Sequence, residues 1–421
     1  MSIVITNGQR LVFTSSKVGE AHWEKFDSLL IEDGEIKSFD VERPRSDADT
    51  VIEAHGACVF PGLIDLSVSL PEPGNSLKGS IHSETRAAAA GGVTTVCSIP
   101  ETEPVNDSQA VTKLIREMAA QSSHCRVLPL GALTKGLKGE QLAEYAALKN
   151  AQCIALSNAF HPLKNLAITK RCFEYAKTHD MSVFVNPMEP SLHKGVMHEG
   201  VVSTTIGLPG ISSLAETVAV AQLIQLAEAT GVHLHLSQLS TAKSVVQLAQ
   251  AKAAGIRVTA DVAIQNLLYT DESIVNFNSV FYCLPPLRAE QDRQALVTGI
   301  NNGTIDTITS AHRPHEAAAK QAPFAEAEAG MSNIEFLLPL AQRLAAKGEM
   351  TFETFIDAMT RGASAVLRLT APALKPGKIA DLCVFDRQAE RILEADGIVS
   401  HGKNTSLLGQ NLTGKVKATI L

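Results

Sequence analysis

The sequence lacks the features that mark several classes of protein. Its 421 residues carry 37 lysines and arginines against 44 aspartates and glutamates, for a formal net charge of -7. Because no basic surplus is available to neutralise phosphates, the composition argues against a nucleic-acid binder. No apolar segment approaches membrane-spanning length, and the amino terminus lacks the basic start and apolar run of a signal peptide. We therefore expect a cytoplasmic protein whose partners are small molecules or other proteins.

Paired cysteines and glycine-rich loops are also absent. The seven cysteines are odd in number and widely spaced, and none forms the Cys-x-x-Cys pair that is typical of zinc sites and redox motifs. We interpret them as reduced, mostly structural thiols. No Gly-rich phosphate-binding loop follows any predicted strand, which disfavours an open, doubly wound nucleotide-binding sheet.

What the sequence does contain is a long alternation of apolar strands and amphipathic helices. Eight segments are typical of buried strands: 57–70, 93–99, 126–133, 153–156, 182–185, 232–239, 257–262 and 307–310. Of the helices between them, one can be capped by Asn106 or Asp107, and another begins at Ser240 and Thr241 and ends at Gly255. Eight β-then-α units predict an α/β protein with a parallel (β/α)8 TIM barrel. Its functional mouth is expected at the carboxyl ends of the strands.

The two ends of the chain have a different pattern. Short alternating strands separated by turn pairs, such as Asn7-Gly8 and Asp33-Gly34, fill the first 56 residues, and the same pattern returns after Pro376-Gly377. This predicts a small β-sandwich built from both termini, residues 1–56 and 372–421, beside a barrel of residues 57–371. The length of the chain is sufficient for both units.

Six short segments resemble landmarks of the dihydroorotases, which belong to the cyclic amidohydrolase group. They are PGLIDL at 61–66, GGVTTV at 91–96, GLPG at 207–210, PPLR at 285–288, NGTID at 302–306 and GKIADL at 377–382. Each is short, but together they follow the expected order from about Val51 to the carboxyl terminus. The resemblance implies a metal-binding barrel of the amidohydrolase type flanked by a composite β-sandwich, and hydrolysis of dihydroorotate as the family reaction.

The metal ligands and the general base that the resemblance implies do not occur at the matching positions. Those positions hold Ser67, Ser69, Asn158, Pro187, Gln238 and Ala311, the last at the position of the base. A catalytic zinc site needs about three imidazole, thiolate or carboxylate ligands, and none of the six side chains is such a group. Because water activation needs a metal or a positioned base, we predict no catalytic residue, no bound metal and no other cofactor.

The substrate contacts implied by the resemblance are lost as well. The arginine that holds the substrate carboxylate falls on Pro71, and two asparagines fall on Glu101 and Leu284. Proline offers neither charge nor donor. A carboxylate at position 101 would repel an anionic substrate.

Several ionisable residues near the strand ends could still form a residual pocket: Asp65, His161, His235, Asp261, His312 and His315. We expect the histidines to be mainly structural, because a histidine without a metal partner is more often hydrogen-bonded within the fold. Asp65 and Asp261 are interpreted as relics that now accept hydrogen bonds from backbone or hydroxyl donors. His193 and His198, on either side of Gly195, are expected on a mobile surface loop.

The resemblance also implies a role. The chain is similar to non-catalytic dihydroorotase-like subunits that bind the catalytic chain of aspartate carbamoyltransferase in bacterial pyrimidine biosynthesis, and we expect a homodimer within a larger hetero-oligomer. Two alternatives remain open. One is an active cyclic amidohydrolase with a shifted metal site that uses His161, His235, His312 or His315. The other is a sensor that binds pyrimidine ligands in the vestigial pocket.

Overall fold

The computed structural model describes residues 2–40 and 50–421. Met1 and residues 41–49 lie outside the described residues, and so does the corresponding part of the β unit predicted for residues 1–56. The described residues form seventeen strands and twelve α-helices. These elements divide between a barrel and a sheet made from the two ends of the chain.

The strands are β1 (Ser2–Phe13), β2 (Ala21–Glu32), β3 (Glu35–Phe39), β4 (Thr50–Glu53), β5 (Cys58–Pro61), β6 (Leu63–Val68), β7 (Val93–Ser98), β8 (Arg126–Ala132), β9 (Ala155–Ser157), β10 (Val183–Val185), β11 (Met197–His198), β12 (Gly210–Ile211), β13 (Leu234–Leu236), β14 (Val258–Ala263), β15 (Thr307–Thr309), β16 (Leu382–Ile392) and β17 (Asn411–Ile420). The α-helices are α1 (Ile81–Ala90), α2 (Gln109–Ser122), α3 (Tyr145–Asn150), α4 (Leu166–Thr178), α5 (Val201–Ile206), α6 (Leu214–Thr230), α7 (Ala242–Ala253), α8 (Ile264–Leu268), α9 (Glu290–Asn301), α10 (Leu337–Ala346), α11 (Phe352–Asp357) and α12 (Ala363–Val366). A π-helical turn, Ala358–Gly362, joins α11 to α12.

Eight parallel strands form the barrel. They pair in chain order as β6, β7, β8, β9, β10, β13, β14 and β15. The first and last strands meet where Val68 pairs with His312 and the Ser69 N–H donates to the His312 carbonyl oxygen at 2.9 Å. Each of the eight segments predicted as strands overlaps one of these strands, and the predicted fold class is confirmed.

Helix caps show where local sequence was sufficient and where it was not. Thr241 accepts a hydrogen bond from the Ser244 N–H at the start of α7, and Gly255 has a φ of 77° just after its end, so this prediction is confirmed. The predicted cap of α2 is wrong, because Ser108 occupies that position. The Asn106 side chain points inward instead and donates to the Leu130 carbonyl oxygen at 2.8 Å.

The ends of the chain form one seven-stranded sheet. Its order is β17, β16, β5, β1, β2 and β3, and β4 pairs with β1. The sheet encloses a small core of its own that includes Ile5, Leu29, Ile36 and Leu382. Strand β5, which lies just beyond residue 56, pairs with both β1 and β16, so the chain passes directly from this sheet into barrel strand β6.

None of the helices formed by the described residues combines the length and apolarity needed to cross a bilayer.

Candidate functional site at the barrel mouth

The centre of the barrel mouth is closed by two side chains that bond to each other. Gln238, which follows β13, donates from Nε2 to the Ser67 Oγ on β6 at 3.0 Å, and both residues are buried. The cavity between them and the neighbouring strand ends has a volume of about 10 Å³. A single water molecule needs about 10–15 Å³, so the space left between these side chains holds about one water molecule at most.

The two aspartates at this level accept hydrogen bonds from neighbouring residues. Asp65 Oδ1 accepts from Thr309 Oγ1 at 2.5 Å, from the Ser310 N–H at 3.2 Å and from the Ser67 N–H at 3.3 Å. Burial raises the pKa of the Asp65 carboxyl, and these donors oppose the shift. Two strands away around the barrel, on β14, Asp261 Oδ1 accepts from the Gln238 N–H at 2.7 Å.

His235 is held on three sides. Its Nε2 lies 2.8 Å from Asp261 Oδ2, its Nδ1 lies 2.9 Å from Thr259 Oγ1, and its ring packs against Phe184 with 4.5 Å between centroids. The side chain is fully buried. Because both ring nitrogens have protein partners, neither is available to coordinate a metal.

His312 belongs to a second buried network. Its Nε2 lies 2.8 Å from Glu84 Oε2, and Glu84 also accepts from Ser400 Oγ at 2.6 Å and from the His401 N–H at 3.0 Å. Burial acts to raise the pKa of Glu84, but the bonds from His312 and Ser400 outweigh it and hold the pKa below its usual value. This network ties the segment before β17 to the barrel mouth.

A serine completes an arrangement that resembles a nucleophile, base and acid. Ser332 Oγ lies 3.5 Å from His312 Nδ1, on the opposite side of the ring from Glu84. All three side chains are buried, with exposures of 1%, 0% and 0%. A nucleophile must reach its substrate, so this arrangement is structural.

His315 lies nearer the surface, and its two ring nitrogens differ in their hydrogen-bond partners. Its Nε2 donates to the Ala329 carbonyl oxygen at 2.9 Å, so Nδ1 is the unprotonated nitrogen, and Nδ1 has no partner among the described residues. Burial lowers the pKa of His315 to about 4, so the ring is neutral at pH 7. The residue lines an open cavity at the mouth.

Asn158 takes a structural role at a position that the resemblance assigns to a ligand. Its Nδ2 donates to the His161 carbonyl oxygen at 2.8 Å, and its Oδ1 accepts from Thr134 Oγ1 at 2.7 Å. These bonds fix the turn that follows β9. The turn therefore presents Phe160 and His161 to the barrel mouth in a defined position.

Three residues after barrel strands have left-handed backbone conformations that side chains normally avoid. The φ angles are 47° at Ala159, 58° at Gln238 and 48° at Ala311. Each such residue costs roughly 1–2 kcal/mol relative to the right-handed region. Such a conformation persists only where the surrounding structure holds the backbone in place.

The rim of the mouth carries an ion pair that the sequence analysis missed. Glu101, after β7, accepts from Arg313 Nη2 at 2.6 Å, and its other oxygen lies 3.4 Å from His161 Nε2. The Arg313 guanidinium stacks over the Phe160 ring at 4.4 Å. Opposite charges at the ends of two barrel strands were the only sequence signal for this contact.

The pair borders a cavity of about 150 Å³. Its lining consists of Ser69, Pro71, Asn75, Lys78, Glu101, Glu103, Arg313, Pro314, His315 and Glu328. Of the positions at which the resemblance implies lost substrate contacts, Pro71 and Glu101 line this cavity and Leu284 is half-buried. Pro187, at a position that the resemblance assigns to a metal ligand, is buried after β10. The sequence-predicted residues are therefore divided between a packed floor and this outer cavity.

His198 does not lie on a surface loop as expected. It forms part of β11 and is half-buried, and Arg288 Nη1 lies 3.2 Å from its Nδ1. The same guanidinium nitrogen donates to the Ile211 carbonyl oxygen at 2.8 Å. The prediction was wrong because Arg288 and His198 are 90 positions apart, and no local pattern indicates such a contact.

His193 was expected on the same loop. Its Nδ1 lies 2.8 Å from the Pro190 carbonyl oxygen.

The residues at the mouth do not fit a divalent metal. No group of three or more histidine, cysteine, aspartate or glutamate side chains among residues 2–40 and 50–421 is arranged to hold one. The carboxylates and imidazoles nearest the floor are already bonded to each other or to hydroxyl and backbone donors. A metal there would have to displace those bonds.

Comparison with known proteins gives consistent matches. A family model described as dihydro-orotase-like matches residues 56–244. A "Dihydroorotase-like protein" of Pseudomonas putida is 43% identical over 394 residues, which is 93% of each chain. A "Dihydroorotase" of Syntrophotalea carbinolica is 39% identical over 424 residues, which is 100% of this chain and 98% of that protein.

Solved structures share the fold at lower identity. An L-hydantoinase (dihydropyrimidinase) from Arthrobacter aurescens superposes with a TM-score of 0.84 at 18% identity, over 99% of this chain and 96% of that chain. A D-hydantoinase superposes with a TM-score of 0.81 at 21% identity, over 99% of this chain and 93% of that chain.

Proposed function

The chain belongs to the dihydroorotase-like family, and from this premise we propose that it is a catalytically inactive member that binds and organises aspartate carbamoyltransferase in pyrimidine biosynthesis in the cytoplasm. The observation that carries the proposal is the floor of the barrel mouth. There the Gln238 side chain is bonded to Ser67, and a cavity of about 10 Å³ remains. Relatives of comparable similarity bear the names dihydroorotase and dihydroorotase-like protein, so the family name alone does not decide activity.

The chemistry of the family needs an activated water molecule and a base. The position that the resemblance assigns to the base carries the methyl group of Ala311, which has no proton to exchange. Asp65 and Asp261 are buried at this level, and each already accepts hydrogen bonds from the protein. A base must reach the water that it activates, and these carboxylates are enclosed.

A shifted metal site does not receive support from the side-chain positions. His235 is bonded to Asp261, His312 to Glu84, and His161 lies on the rim with 52% of its side chain exposed. The histidines are thus engaged in separate contacts. Zinc needs several ligands around one point, so we do not propose this alternative.

The partner proposal rests on the separability of fold and site. The barrel and the terminal sheet are formed although the floor of the mouth is filled, and surfaces that dock a partner can persist when a pocket does not. Assemblies of identical chains are usually symmetric. We therefore propose a homodimer that joins catalytic chains of the carbamoyltransferase into a larger hetero-oligomer.

Co-expression with the aspartate carbamoyltransferase of the same organism tests whether the two proteins bind each other. We expect one complex, larger than either component, in size-exclusion chromatography with light scattering. Ser67→Ala serves as a matched control, because it alters the buried floor and should leave complex formation unchanged. If the carbamoyltransferase has the same size, stability and activity in the presence and absence of this chain, the proposed organising role is refuted.

Metal content and turnover test the lack of activity. We expect purified protein to contain almost no zinc, not to hydrolyse dihydroorotate, and not to catalyse the reverse reaction, in which carbamoyl aspartate cyclises to dihydroorotate with loss of water. Stoichiometric zinc together with turnover would show that the chain is an active amidohydrolase. The two experiments are independent, so an active enzyme that also binds the carbamoyltransferase would be recognised as such.

A further inference from the structure

The Glu101 carboxylate lies at the barrel mouth between Arg313 and His161, in the position that a bound carboxylate ligand would occupy. One oxygen is 2.6 Å from Arg313 Nη2 and the other is 3.4 Å from His161 Nε2, although the three residues follow three different barrel strands. We propose that Arg313 and His161 form a binding site for small carboxylate ligands, and that Glu101 occupies this site as an internal competitor. The inference concerns the mouth alone and goes beyond the proposed docking of a partner on the outside.

The backbone of Arg313 is fixed independently of Glu101. Its N–H donates to the Met331 carbonyl oxygen at 2.9 Å, and its own carbonyl oxygen accepts from Asn404 Nδ2 at 2.9 Å. The guanidinium also rests on the Phe160 ring, a contact that orients the charged plane. Loss of the Glu101 charge therefore leaves the arginine in place rather than freeing it into solvent.

His161 is positioned by a different set of contacts. Its N–H donates to the Asn158 carbonyl oxygen at 3.0 Å, and the Asn158 side chain closes the same turn from Nδ2. The imidazole stays half-exposed while the backbone beneath it is held. Two donors on separate rigid supports are thus directed at one carboxylate, which is the arrangement that favours recognition over a single flexible contact.

Space for a ligand adjoins the pair. The cavity of about 150 Å³ is bordered by both Glu101 and Arg313, and Ser69 and Lys78 line it with further donors. Lys78 Nζ lies 3.6 Å from Glu328 Oε2 and forms an ion pair with it. Glu101, Glu103 and Glu328 also line the cavity, so a small carboxylate can bind Arg313 only when Glu101 has left it.

The Glu101 carboxylate sets the apparent affinity of this site for an external carboxylate. An external carboxylate must displace Glu101, which is present at a high effective concentration because it is attached to the same chain. The affinity of the wild-type protein is reduced by the fraction of molecules in which Glu101 has left the site. Glu101→Gln removes the competing charge and keeps nearly the same shape.

Malonate binding by calorimetry at low ionic strength tests the proposal. We expect Glu101→Gln to bind malonate at least tenfold more tightly than the wild-type protein does. Glu103→Gln is the matched control, because it removes the same charge from the lining of the same cavity without releasing Arg313. Its affinity should stay within about twofold of wild type.

Three results would overturn the proposal. The first is a malonate affinity of Glu101→Gln that is no higher than that of Glu103→Gln. The second is a malonate affinity of Glu101→Gln that does not fall when Arg313→Gln is added. The third is binding of the uncharged analogue malonamide as tightly as malonate. Glu101→Ala provides a second variant if the glutamine variant does not fold. In the wild-type protein, a high concentration of malonate should raise the melting temperature more than malonamide does at equal ionic strength, and equal effects would also contradict the site.

Discussion

At the floor of the barrel mouth Asp65, Glu84 and Asp261 are fully buried, whereas at the rim the side chains of Glu101 and Arg313 are 14% and 25% exposed. The floor carboxylates accept two or more hydrogen bonds each, mostly from neutral hydroxyl and backbone donors and from histidine. The rim carboxylate is held by charge and borders an open cavity. A buried charge that loses a partner stays uncompensated, while a rim charge can exchange its partner for water or a ligand. The floor is therefore fixed, and the rim is exchangeable.

The largest effect is expected from breaking the floor at Glu84. Glu84→Ala would leave His312, Ser400 and the His401 N–H without their acceptor. We expect a loss of about 3–5 kcal/mol in the free energy of unfolding, as for removal of one member of a buried network. Urea unfolding followed by circular dichroism measures it. Glu103→Ala, at an exposed position on the rim cavity, should cost less than about 0.5 kcal/mol, and equal costs for the two variants would erase the distinction between floor and rim.

A second test places the same new side chain at two neighbouring serines. Ser67 lines the cavity of about 10 Å³, so Ser67→His should overpack the floor and cost about 1–3 kcal/mol. Ser69 lines the cavity of about 150 Å³, so Ser69→His should change stability by less than about 0.5 kcal/mol. The difference in unfolding midpoint between the two variants measures the difference in free space. A Ser67→His variant as stable as Ser69→His would show that the floor can open.

A smaller effect is expected from the rim pair. Glu101→Gln should cost about 0.5–1 kcal/mol at pH 7, because a partly exposed ion pair contributes little. Burial acts to raise the pKa of Glu101, but Arg313 and His161 outweigh it and lower the pKa below 4.5. A lowered carboxyl pKa stabilises the fold above the pKa of the unfolded chain, and this contribution is lost as the pH falls through the folded value.

The difference in the free energy of unfolding between wild type and Glu101→Gln, called the gap below, should therefore decrease below about pH 4.5. Unfolding at a series of pH values between neutral and acidic measures that gap. A gap that is constant with pH would mean that the Glu101 charge does not contribute to the pairing.

The smallest effect is expected from zinc. A metal stabilises a protein only if it binds the native state, and the floor offers no group of ligands. For protein freed of any affinity tag, zinc or a chelator should change the melting temperature by less than about 1 °C. A rise that grows with zinc concentration would reveal a site and would contradict the picture of a closed floor.

The barrel could be predicted from the sequence because each strand is a local apolar segment and its order follows the chain. The retained glycine and proline landmarks also located the strand ends, so Ser67, Gln238 and Ala311 could be placed at the mouth. Asn106 was misassigned as a cap since its partner, the Leu130 carbonyl oxygen, is distant in sequence. The pairing of Glu101 with Arg313 joins residues 212 positions apart, and no local pattern specifies such a contact.

The order in which the chain is synthesised bears on when the mouth can be completed. Glu84 obtains the Ser400 hydroxyl from a residue 316 positions later, and β5 obtains its partner β16 from the same distant part of the chain. At a synthesis rate of about 5–20 residues per second, this interval lasts on the order of tens of seconds. During that time the first barrel strands have been made, but the carboxylate at their mouth lacks part of its final set of donors. Until Ser400 and β16 have been synthesised, Glu84 therefore lacks one of its donors and β5 lacks one of its two partner strands.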